Sequence, residues 1–581
     1  MSVQARFVLA IVLMMAVLVG GNLIFPSASR APSEAPGDSE SAAGAEGADA
    51  GATGGPADAA PPPPAGAPGP TGPGAVVPPI ADTLAPPAEA LPAEPESEIR
   101  VEGPLYTVTF SSVGGRIVSV LLPGFESFTR EGVVELIEEG DPGLLGARLV
   151  VGADTVDLRS IAMQATPAEG LRLEVGGDPG VLSLRGTDPS SGIGYEVAYT
   201  FDPDSYVVQA SGSVTGVGRA ILMTDLGWGV AFNEVDESTE EREMAYVANH
   251  LQQGIRATQL SDVSAPRAED GPFLWTASKS RYFVVGLLPP AGSAGEYLGG
   301  VVVTPAPERE DRARVAVTQA VGDQGFDFRL YVGPQDYALL SAVGSEFQEV
   351  SPVGWAWLRP VLRPIVAAIM WVLVFFHENL AIGYGWVLIL MGVLMRIVLF
   401  PLNHRAMRAQ LKNMAVQPLL KDIQTRYKGQ PERMQAELMK LYKEHGFNPL
   451  GGCWPILLPW PILIALFFVF QNTIELRGVP FAWLPDLAAK DPIYVLPLLL
   501  GVSMFVIQWI TMRAVTDTNP QMKMMLWFMP IFMVVIFVNF PSGLNLYYLS
   551  QNVATLPQSW WIAKERQKVQ VKQPPAPAAK R

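Results

Sequence analysis

One arginine, Arg396, stands inside the apolar run from Trp386 to Leu402. A lone charge in membrane hydrocarbon costs about 2.5 to 3.5 kcal/mol even on lenient scales, so polar groups have to solvate it. We therefore predict that Arg396 faces a polar interior. In the alternative interpretation Arg396, four residues before Phe400, extends its guanidinium to the cytoplasmic headgroups.

The last apolar segment carries a column of polar side chains, here called the polar stripe, at Asn545, Tyr548, Asn552, Thr555 and Ser559. Spacings of three and four place them on one helical face, and Gln551 and Gln558 widen it. An unpartnered amide or hydroxyl is unfavourable in hydrocarbon, so the stripe faces either water or other helices. Gln471 and Gln508, on two earlier apolar segments, complete a candidate groove with Arg396.

Composition excludes several classes of protein. The chain has 581 residues, a net charge of −15 and a single cysteine, Cys453. The acidity excludes a nucleic-acid binder held by overall charge, so we expect no DNA partner. One cysteine excludes a disulfide framework and a cysteine-based metal cluster. There is no phosphate loop or zinc helix, and the histidines are scattered, so we expect no cofactor, no metal and no enzyme.

Charge and hydropathy divide the chain. Residues 26–358 contain 46 Asp and Glu against 18 Lys and Arg, whereas residues 359–581 contain 10 against 22. Together with the apolar runs of the basic half, this predicts a membrane protein with a large polar domain on one side. Residues 1–25 are either an anchor or a signal peptide, and we assign them as the first transmembrane span. Residues 26–98, rich in Ala, Pro and Gly, are predicted to be a disordered spacer.

Residues 99–340 are predicted to be an all-β domain of sandwich type. Gly, Pro and Asp separate short alternating runs, which are Leu105–Phe110, Arg116–Leu122, Ala147–Val151, Tyr195–Phe201, Tyr206–Val214, Arg281–Leu287, Arg312–Thr318 and Asp327–Val332. No catalytic constellation is visible in this domain. We expect a folded spacer, with a ligand on a concave sheet as the alternative, because a fold alone does not establish a function.

The basic half is predicted to be helical. Residues 350–380 contain an interfacial helix, with Arg359, Arg363, Trp355 and Trp357 near headgroups. The predicted spans of the core, residues 381–565, are Trp386–Phe400, Trp454–Phe470, Ile493–Ile510, Met524–Phe540 and Leu544–Ile562. With the first span this makes six. Several are shorter than the roughly 20 residues that a bilayer requires, which predicts local thinning of the membrane.

Basic residues in short loops predict the orientation. Residues 401–453 contain nine Lys and Arg against four acids, and the tail, residues 566–581, is also basic, so both are expected in the cytoplasm. Loop 474–492 contains only Arg477 and Lys490 as basic residues and is expected outside. Both termini are then cytoplasmic and the β-domain is outside.

The cytoplasmic loop is predicted to form a helical hairpin, residues 403–446, interrupted near Gly429 and Pro431. Each arm has an apolar face, with Met407 and Leu411 in the first and Met434 and Leu438 in the second. Packing of the two arms explains these faces. A methionine-rich surface for apolar clients is the alternative.

Several motifs together resemble those of the YidC family of membrane protein insertases, over about residues 350–565. They are Asn448-Pro449-Leu450-Gly451-Gly452-Cys453, Glu475-Leu476-Arg477, Phe540-Pro541-Ser542-Gly543-Leu544, Leu546-Tyr547-Tyr548, and Arg396 before Phe400-Pro401-Leu402. The position of the β-domain is similar to that of Gram-negative members, whose outer domain is a β-supersandwich.

The resemblance implies a polytopic protein of the bacterial inner membrane with a five-helix core. That core would enclose a hydrophilic groove open to the cytoplasm and to lipid, with Arg396 inside it and Tyr548 among the positions that contact clients. The implied partners are nascent membrane proteins, the phospholipid bilayer, the Sec translocon and the ribosome. One turn before the arginine, this chain has Gly392 where many relatives carry a hydroxyl, so that groove contact differs here.

Two other functions fit single features of the sequence. The first is a solute transporter in which Arg396 binds anions in the middle of the membrane. The inverted repeats that are common in transporters are not visible in this sequence. Ser542 suggests an intramembrane protease, but no histidine follows it in the chain. Insertion of client proteins, which needs no covalent step, remains the predicted function.

Overall fold

The computed structural model describes residues 96–292, 296–306, 309–322, 325–354, 357–401, 419, 422–423, 425–427, 429–444, 460–513 and 520–571. The predicted first span, nearly all of the predicted spacer and most of the basic tail lie outside these residues. So do Met407 and Leu411 of the predicted hairpin.

The residues before 340 fold mainly as strands. Every predicted alternating run overlaps one of them. In chain order they are β1 (Glu98–Glu102), β2 (Thr107–Ser111), β3 (Ile117–Glu126), β4 (Val133–Glu135), β5 (Ala147–Val151), β6 (Asp154–Asp157), β7 (Met163–Thr166), β8 (Leu171–Arg172), β9 (Gly180–Thr187), β10 (Gly194–Phe201), β11 (Val207–Thr215), β12 (Ala220–Asp225), β13 (Ala245–His250), β14 (Gly254–Gln259), β15 (Arg267–Lys279), β16 (Phe283–Leu288), β17 (Leu298–Ala306), β18 (Arg309–Val321) and β19 (Phe326–Pro334).

These strands form two sheets. The smaller has the order β4-β3-β2-β1-β8, with β1 and β8 parallel. The larger has the order β6-β5-β12-β18-β17-β15-β16-β19-β11-β10-β9-β7, and the hairpin of β13 and β14 joins it at β15. In β10 every second residue, from Tyr195 to Phe201, is buried. This is the period of a strand with one fully covered face.

Aromatic side chains hold the two sheets face to face. The ring centroid of Phe110, on β2, lies 5.2 Å from that of Tyr199 and 6.2 Å from that of Phe201, both on β10. All three side chains are buried. Such edge and tilted pairs add to the stabilisation from buried area. The domain is therefore a β-sandwich, as the sequence predicts.

Helices complete the chain. Two short ones within or beside the sandwich, which the alternation did not predict, are α1 (Glu237–Glu243) and α2 (Tyr337–Val343). The side chain of Asp336 caps α2 by accepting from the backbone of Ala338 and Leu339. The others are α3 (Arg359–Leu380), α4 (Tyr384–Val398), α5 (Pro431–Glu444), α6 (Trp460–Asn472), α7 (Val495–Arg513), α8 (Pro520–Phe537) and α9 (Ser542–Val571).

The arginines of α3 contact protein. Arg359 donates to Ile255 O at 3.2 Å, and Arg363 Nε lies 3.1 Å from Glu349 Oε1. The sequence led us to expect both guanidinium groups near lipid headgroups. That expectation stays a prediction, and within the protein Arg363 supplies a nearby cation to Glu349, whose side chain is only 14% exposed.

The helices test the predicted spans only in part. Among the described residues, α3 and residues Val495–Met512 of α7 are long and apolar enough to cross a membrane, and shorter apolar helices include α4 and Leu526–Phe537 of α8. The count of six spans therefore stays a prediction. Helix α9 continues to Val571, beyond the predicted end at Ile562, since residues 563–571 contain no Gly or Pro to stop it.

Candidate functional site

Helices α4 and α9 approach closely at Gly392. A Cβ atom there would collide with Ser550 Oγ and lie 3.0 Å from Tyr547 O. The absence of a side chain thus lets the two backbones meet. Ser550 brings a hydroxyl to this contact from α9. That hydroxyl donates to Tyr547 O at 2.7 Å.

The close approach brings Arg396 to Gln558. Arg396 Nη2 donates to Gln558 Oε1 across the two helices. The next two residues of α4, Ile397 and Val398, are 65% and 59% exposed, whereas Arg396 is half-buried. Arg396 Nε is buried and has no hydrogen-bond partner among the described residues. Gln558, which widens the polar stripe, therefore satisfies part of the guanidinium, and the half-buried side chain leaves part of its surface accessible.

Two amides of the polar stripe bond to neighbouring helices. Asn545, fully buried, donates to Phe537 O at 3.0 Å at the end of α8. Asn552 donates to Ser503 Oγ on α7, also at 3.0 Å. These bonds match the alternative that the sequence left open, hydrogen bonding between helices. Both bonds also fix the rotation of α9 about its own axis relative to α7 and α8.

The rest of the predicted groove is less enclosed. Tyr548, Thr555 and Gln508 are half-buried, and the Tyr548 ring lies 5.3 Å from the Phe537 ring, edge to face. The Thr555 hydroxyl donates to Gln551 O of its own helix at 2.7 Å. Asn545, near the start of α9, is thus fully buried, Gln558 further along is half-buried, and Ser559 beside it is buried again.

Gln471 lies apart from Arg396. It stands at the end of α6, where its carbonyl accepts from Arg281 Nε at 2.8 Å and its amide lies 3.5 Å from Glu243 Oε1. Both partners belong to the β-domain. Arg281 is buried and also donates to Ala488 O at 3.3 Å. The structure therefore places Gln471 at the junction of the β-domain with the helices.

A buried ion pair dominates this junction. Arg477 Nε lies 2.6 Å from Glu234 Oε1, and the two side chains are 4% and 8% exposed. Arg477 also donates to Glu126 O at 2.8 Å, and its guanidinium stacks 4.3 Å from the Phe128 ring centre. Burial raises the pKa of Glu234, although the positive charge of Arg477 opposes this effect. A single loop arginine is thus enclosed by the β-domain.

Glu240 lies beside this pair. Its Oε2 accepts from the backbone N–H groups of Asn233 and Glu234 at 3.0 Å each, and its Oε1 is buried without a partner among the described residues. Burial, and then the negative charge of Glu234, raise the pKa of Glu240 to about 7. This carboxyl group therefore stays protonated at pH values where an exposed glutamate is charged.

Two further sequence predictions concern Ser542 and the hairpin. Ser542 is buried and its hydroxyl donates to Asp486 O at 2.8 Å, so it is not a free nucleophile. Met434 and Leu438 are half-buried on one face of α5, and Leu441, on the same face, is buried. Their partners in the first arm, Met407 and Leu411, lie outside the described residues.

Two family models together match most of the described chain. The model described as "60Kd inner membrane protein" matches residues 375–570. The model described as "YidC periplasmic domain" matches residues 98–368. The chain belongs to the YidC family of membrane protein insertases. The β-sandwich corresponds to the periplasmic domain of the family, and α4–α9 fall within the inner-membrane part.

Individual YidC proteins agree with this assignment. Membrane protein insertase YidC of Prosthecochloris aestuarii is 32% identical over 81% of this chain and 83% of its own length. That of Chlorobaculum tepidum is 30% identical over 80% and 82%. A solved structure, "Active YidC insertase crystal structure with the first transmembrane domain resolved", is 18% identical and covers 81% of this chain and 93% of its own, with a TM-score of 0.33. The assignment therefore rests on the sequence matches.

Sequence reasoning missed the junction. In the sequence, Glu475-Leu476-Arg477 contributed only to the family resemblance, and Arg477 contributed only to the charge of loop 474–492. A charged motif directly after an apolar segment was the available signal, but the partner, Glu234, lies 243 residues earlier. No periodicity connects such distant positions.

We predict that Arg477→Gln destabilises the protein strongly. It leaves Glu234 buried without its cation, and breaking a buried pair costs about 3 to 5 kcal/mol. The matched control is Lys490→Gln, which breaks the more exposed pair of Lys490 with Asp236, at 2.9 Å, and is expected to cost less than about 1 kcal/mol. Thermal unfolding of the purified full chain measures both. Equal shifts in the two variants would contradict the prediction.

We predict that Glu240→Gln flattens the pH dependence of stability. The folded pKa of about 7 lies above the ordinary value of 4.5, so unfolding releases a proton between these pH values. The free energy of unfolding therefore falls as the pH rises from about 4.5 to about 7, by at most roughly 1.4 kcal/mol per pH unit. The variant is expected to melt higher than the parent at pH 8.

The exposed Glu241→Gln, on the same helix, is the control for Glu240→Gln and should leave the pH profile unchanged. Melting temperatures of the three proteins from pH 5 to pH 8 test the prediction. Parallel profiles for Glu240→Gln and the parent would refute it.

Proposed function

We propose that this chain inserts proteins into the bacterial inner membrane through a polar groove between α4 and α9. The observation that carries the proposal is the hydrogen bond from Arg396 to Gln558, with Arg396 Nε buried and unpaired among the described residues. A half-buried guanidinium with an unused donor attracts a polar or acidic segment. The clients are nascent membrane proteins, as the names of the relatives indicate for those proteins.

The full burial of Asn545 near the start of α9 supports a groove that is closed at that end. Near its start α9 is attached to the loop after α6, since Gly543 N donates to Leu487 O at 2.8 Å. That loop contacts the β-domain, so this end of α9 lies on the outer side. Gln558 stands 15 residues further along, about 22 Å of helix. The groove is thus packed toward the periplasm and open toward the cytoplasm.

The groove lowers the barrier to translocation. A short polar tail of a client exchanges part of its hydration for Arg396, Gln558 and the hydroxyl and amide groups of the half-buried stripe. The apolar segment of the client then moves into lipid, which contributes about 0.8 kcal/mol for each buried methylene group. No nucleotide hydrolysis is required for this step.

A thinned membrane supports the same mechanism. The 15 residues of α4 span about 22 Å, which is less than the hydrocarbon thickness of about 30 Å. A bilayer that adapts to α4 becomes thinner beside the groove, so a tail crosses a shorter apolar distance.

The proposed topology has six spans, with both termini in the cytoplasm and the β-domain in the periplasm. The domain boundaries predicted from the sequence, with the interfacial helix at residues 350–380 and the hairpin at residues 403–446, are part of this proposal. The hairpin and the basic tail face the cytoplasm, where ribosomes deliver clients. The Sec translocon is the proposed partner for larger clients. The loop charges support this orientation.

We predict that Arg396→Ala reduces insertion of clients whose translocated tails are acidic, by about tenfold, the effect of one lost charge-assisted hydrogen bond. Clients with neutral tails should be affected less, because they lose no ionic attraction. Arg396→Lys should retain part of the preference. Insertion is measured by protease protection of the tail in cells depleted of their own insertase.

A matched control for Arg396→Ala is Arg426→Ala, which removes an exposed cation of the cytoplasmic loop that pairs with Asp422. It should leave both client sets unaffected. Equal yields from Arg396→Ala and the parent across acidic and neutral clients, at equal protein levels, would contradict the proposed groove.

A further inference from the structure

A cavity of about 360 Å³ lies at the junction of the β-domain with the helices. Its walls are the segment after α2, the first turns of α3 and the end of α6 with the residues that follow. The apolar part of the lining comes from the helices, at Val366, Ala367, Met370, Phe468 and Val469. We call this cavity the junction cleft. It contains none of the residues of the proposed groove.

Three residues that line the junction cleft carry buried oxygen atoms without partners among the described residues. Glu475 Oε2, Asn472 Oδ1 and Glu349 Oε2 are all buried, and no described group donates a hydrogen bond to them. Three unsatisfied acceptors in one cavity require an explanation, because buried polar groups in proteins are nearly always bonded. Burial, and then the negative charge of Asp336, raise the pKa of Glu475 to about 7. The site therefore holds a carboxyl group that lacks a cation.

The one cation among the described residues that line the cleft, Arg363, is already engaged. Arg363 Nε lies 3.1 Å from Glu349 Oε1 and Nη1 lies 3.7 Å from Glu346 Oε1. The cleft thus offers acceptors beside an apolar wall, including two buried carboxyl groups that a bound cation would favour in the charged form. A primary ammonium supplies three N–H donors, a positive charge and no acceptor, which is the complementary set. The apolar wall suits a group attached to a hydrocarbon chain.

We propose that the junction cleft binds the primary-amine headgroup of a phospholipid, with the ammonium donating to Glu475, Asn472 and Glu349. The proposal uses the placement of α3 at the outer membrane surface, which belongs to the proposed function. The exposed Trp357, 76% accessible just before α3, suits that position, since tryptophan favours the interface. A bound lipid would connect the β-domain, α3 and α6.

The test compares two lipids with identical acyl chains, phosphatidylethanolamine and phosphatidylcholine. Both are zwitterionic, but only the first has N–H donors on its ammonium. Native mass spectrometry of the full chain in detergent measures their binding. We expect the ethanolamine lipid to bind about tenfold more tightly, the effect of one charge-assisted hydrogen bond.

Variants test which residues produce the preference for the ethanolamine lipid over the choline lipid. Glu475→Gln should remove most of it, and Asn472→Ala, which deletes an acceptor without changing charge, should reduce it independently of any folding defect of the first variant. Glu378→Gln, exposed near the far end of α3, makes the same charge change and should retain the full preference. Equal affinity of the parent for both lipids, or an unchanged preference in Glu475→Gln, would overturn the proposal.

Competition identifies the source of the amine. Free phosphoethanolamine should compete weakly, because it lacks the chains that the apolar wall contacts. Displacement of the lipid by phosphoethanolamine or by a lysine-rich peptide at equal concentration would overturn the assignment to a lipid. No client is present in these measurements, so they can fail while the Arg396 insertion test succeeds, and the reverse.

Discussion

The arrangement of the helical core depends on the solvation of one guanidinium. Arg396 lies on α4, where the next two residues are apolar and exposed. Its guanidinium donates a hydrogen bond to the side-chain oxygen of Gln558 on α9. That contact exists because Gly392 lets α4 and α9 pack without an intervening side chain. Asn552 then fixes the rotation of α9 through Ser503 of α7. A charge is costly in hydrocarbon, and here the polar side chain of Gln558 gives Arg396 an acceptor where α4 and α9 meet.

The β-domain is attached to this core more firmly than a spacer requires. Arg477 enters the domain as a buried cation, while Arg281 extends from the domain to the carbonyl of Gln471. Each arginine has a shell of carboxylate or carbonyl oxygens on the opposite side of the junction. Removing either guanidinium would leave these buried oxygens without their donor, which is costly. The junction therefore sets the outer ends of α6 and α9 relative to the domain.

The sequence predicted local features well and distant pairs poorly. Alternation predicted β10 because one face of a strand is buried, and an isolated charge identified Arg396. The three-and-four spacing placed Asn545 and Asn552 on one face, but it could not show that their amides bond to Phe537 O and Ser503 Oγ. Gln471 lies at the junction because its position depends on Arg281, 190 residues earlier. Helical periodicity gives the face of a residue and not its partner.

Photocrosslinking during translation tests the central claim most directly, namely that clients pass along the half-buried stripe beside Arg396. A photoreactive residue at Tyr548 should capture the membrane segment of a nascent client. The same residue at Val535 of α8, 65% exposed on another helix, is the control and should capture mainly lipid. Crosslinks to clients from Val535 with none from Tyr548, in a protein that still inserts its clients, would contradict the account.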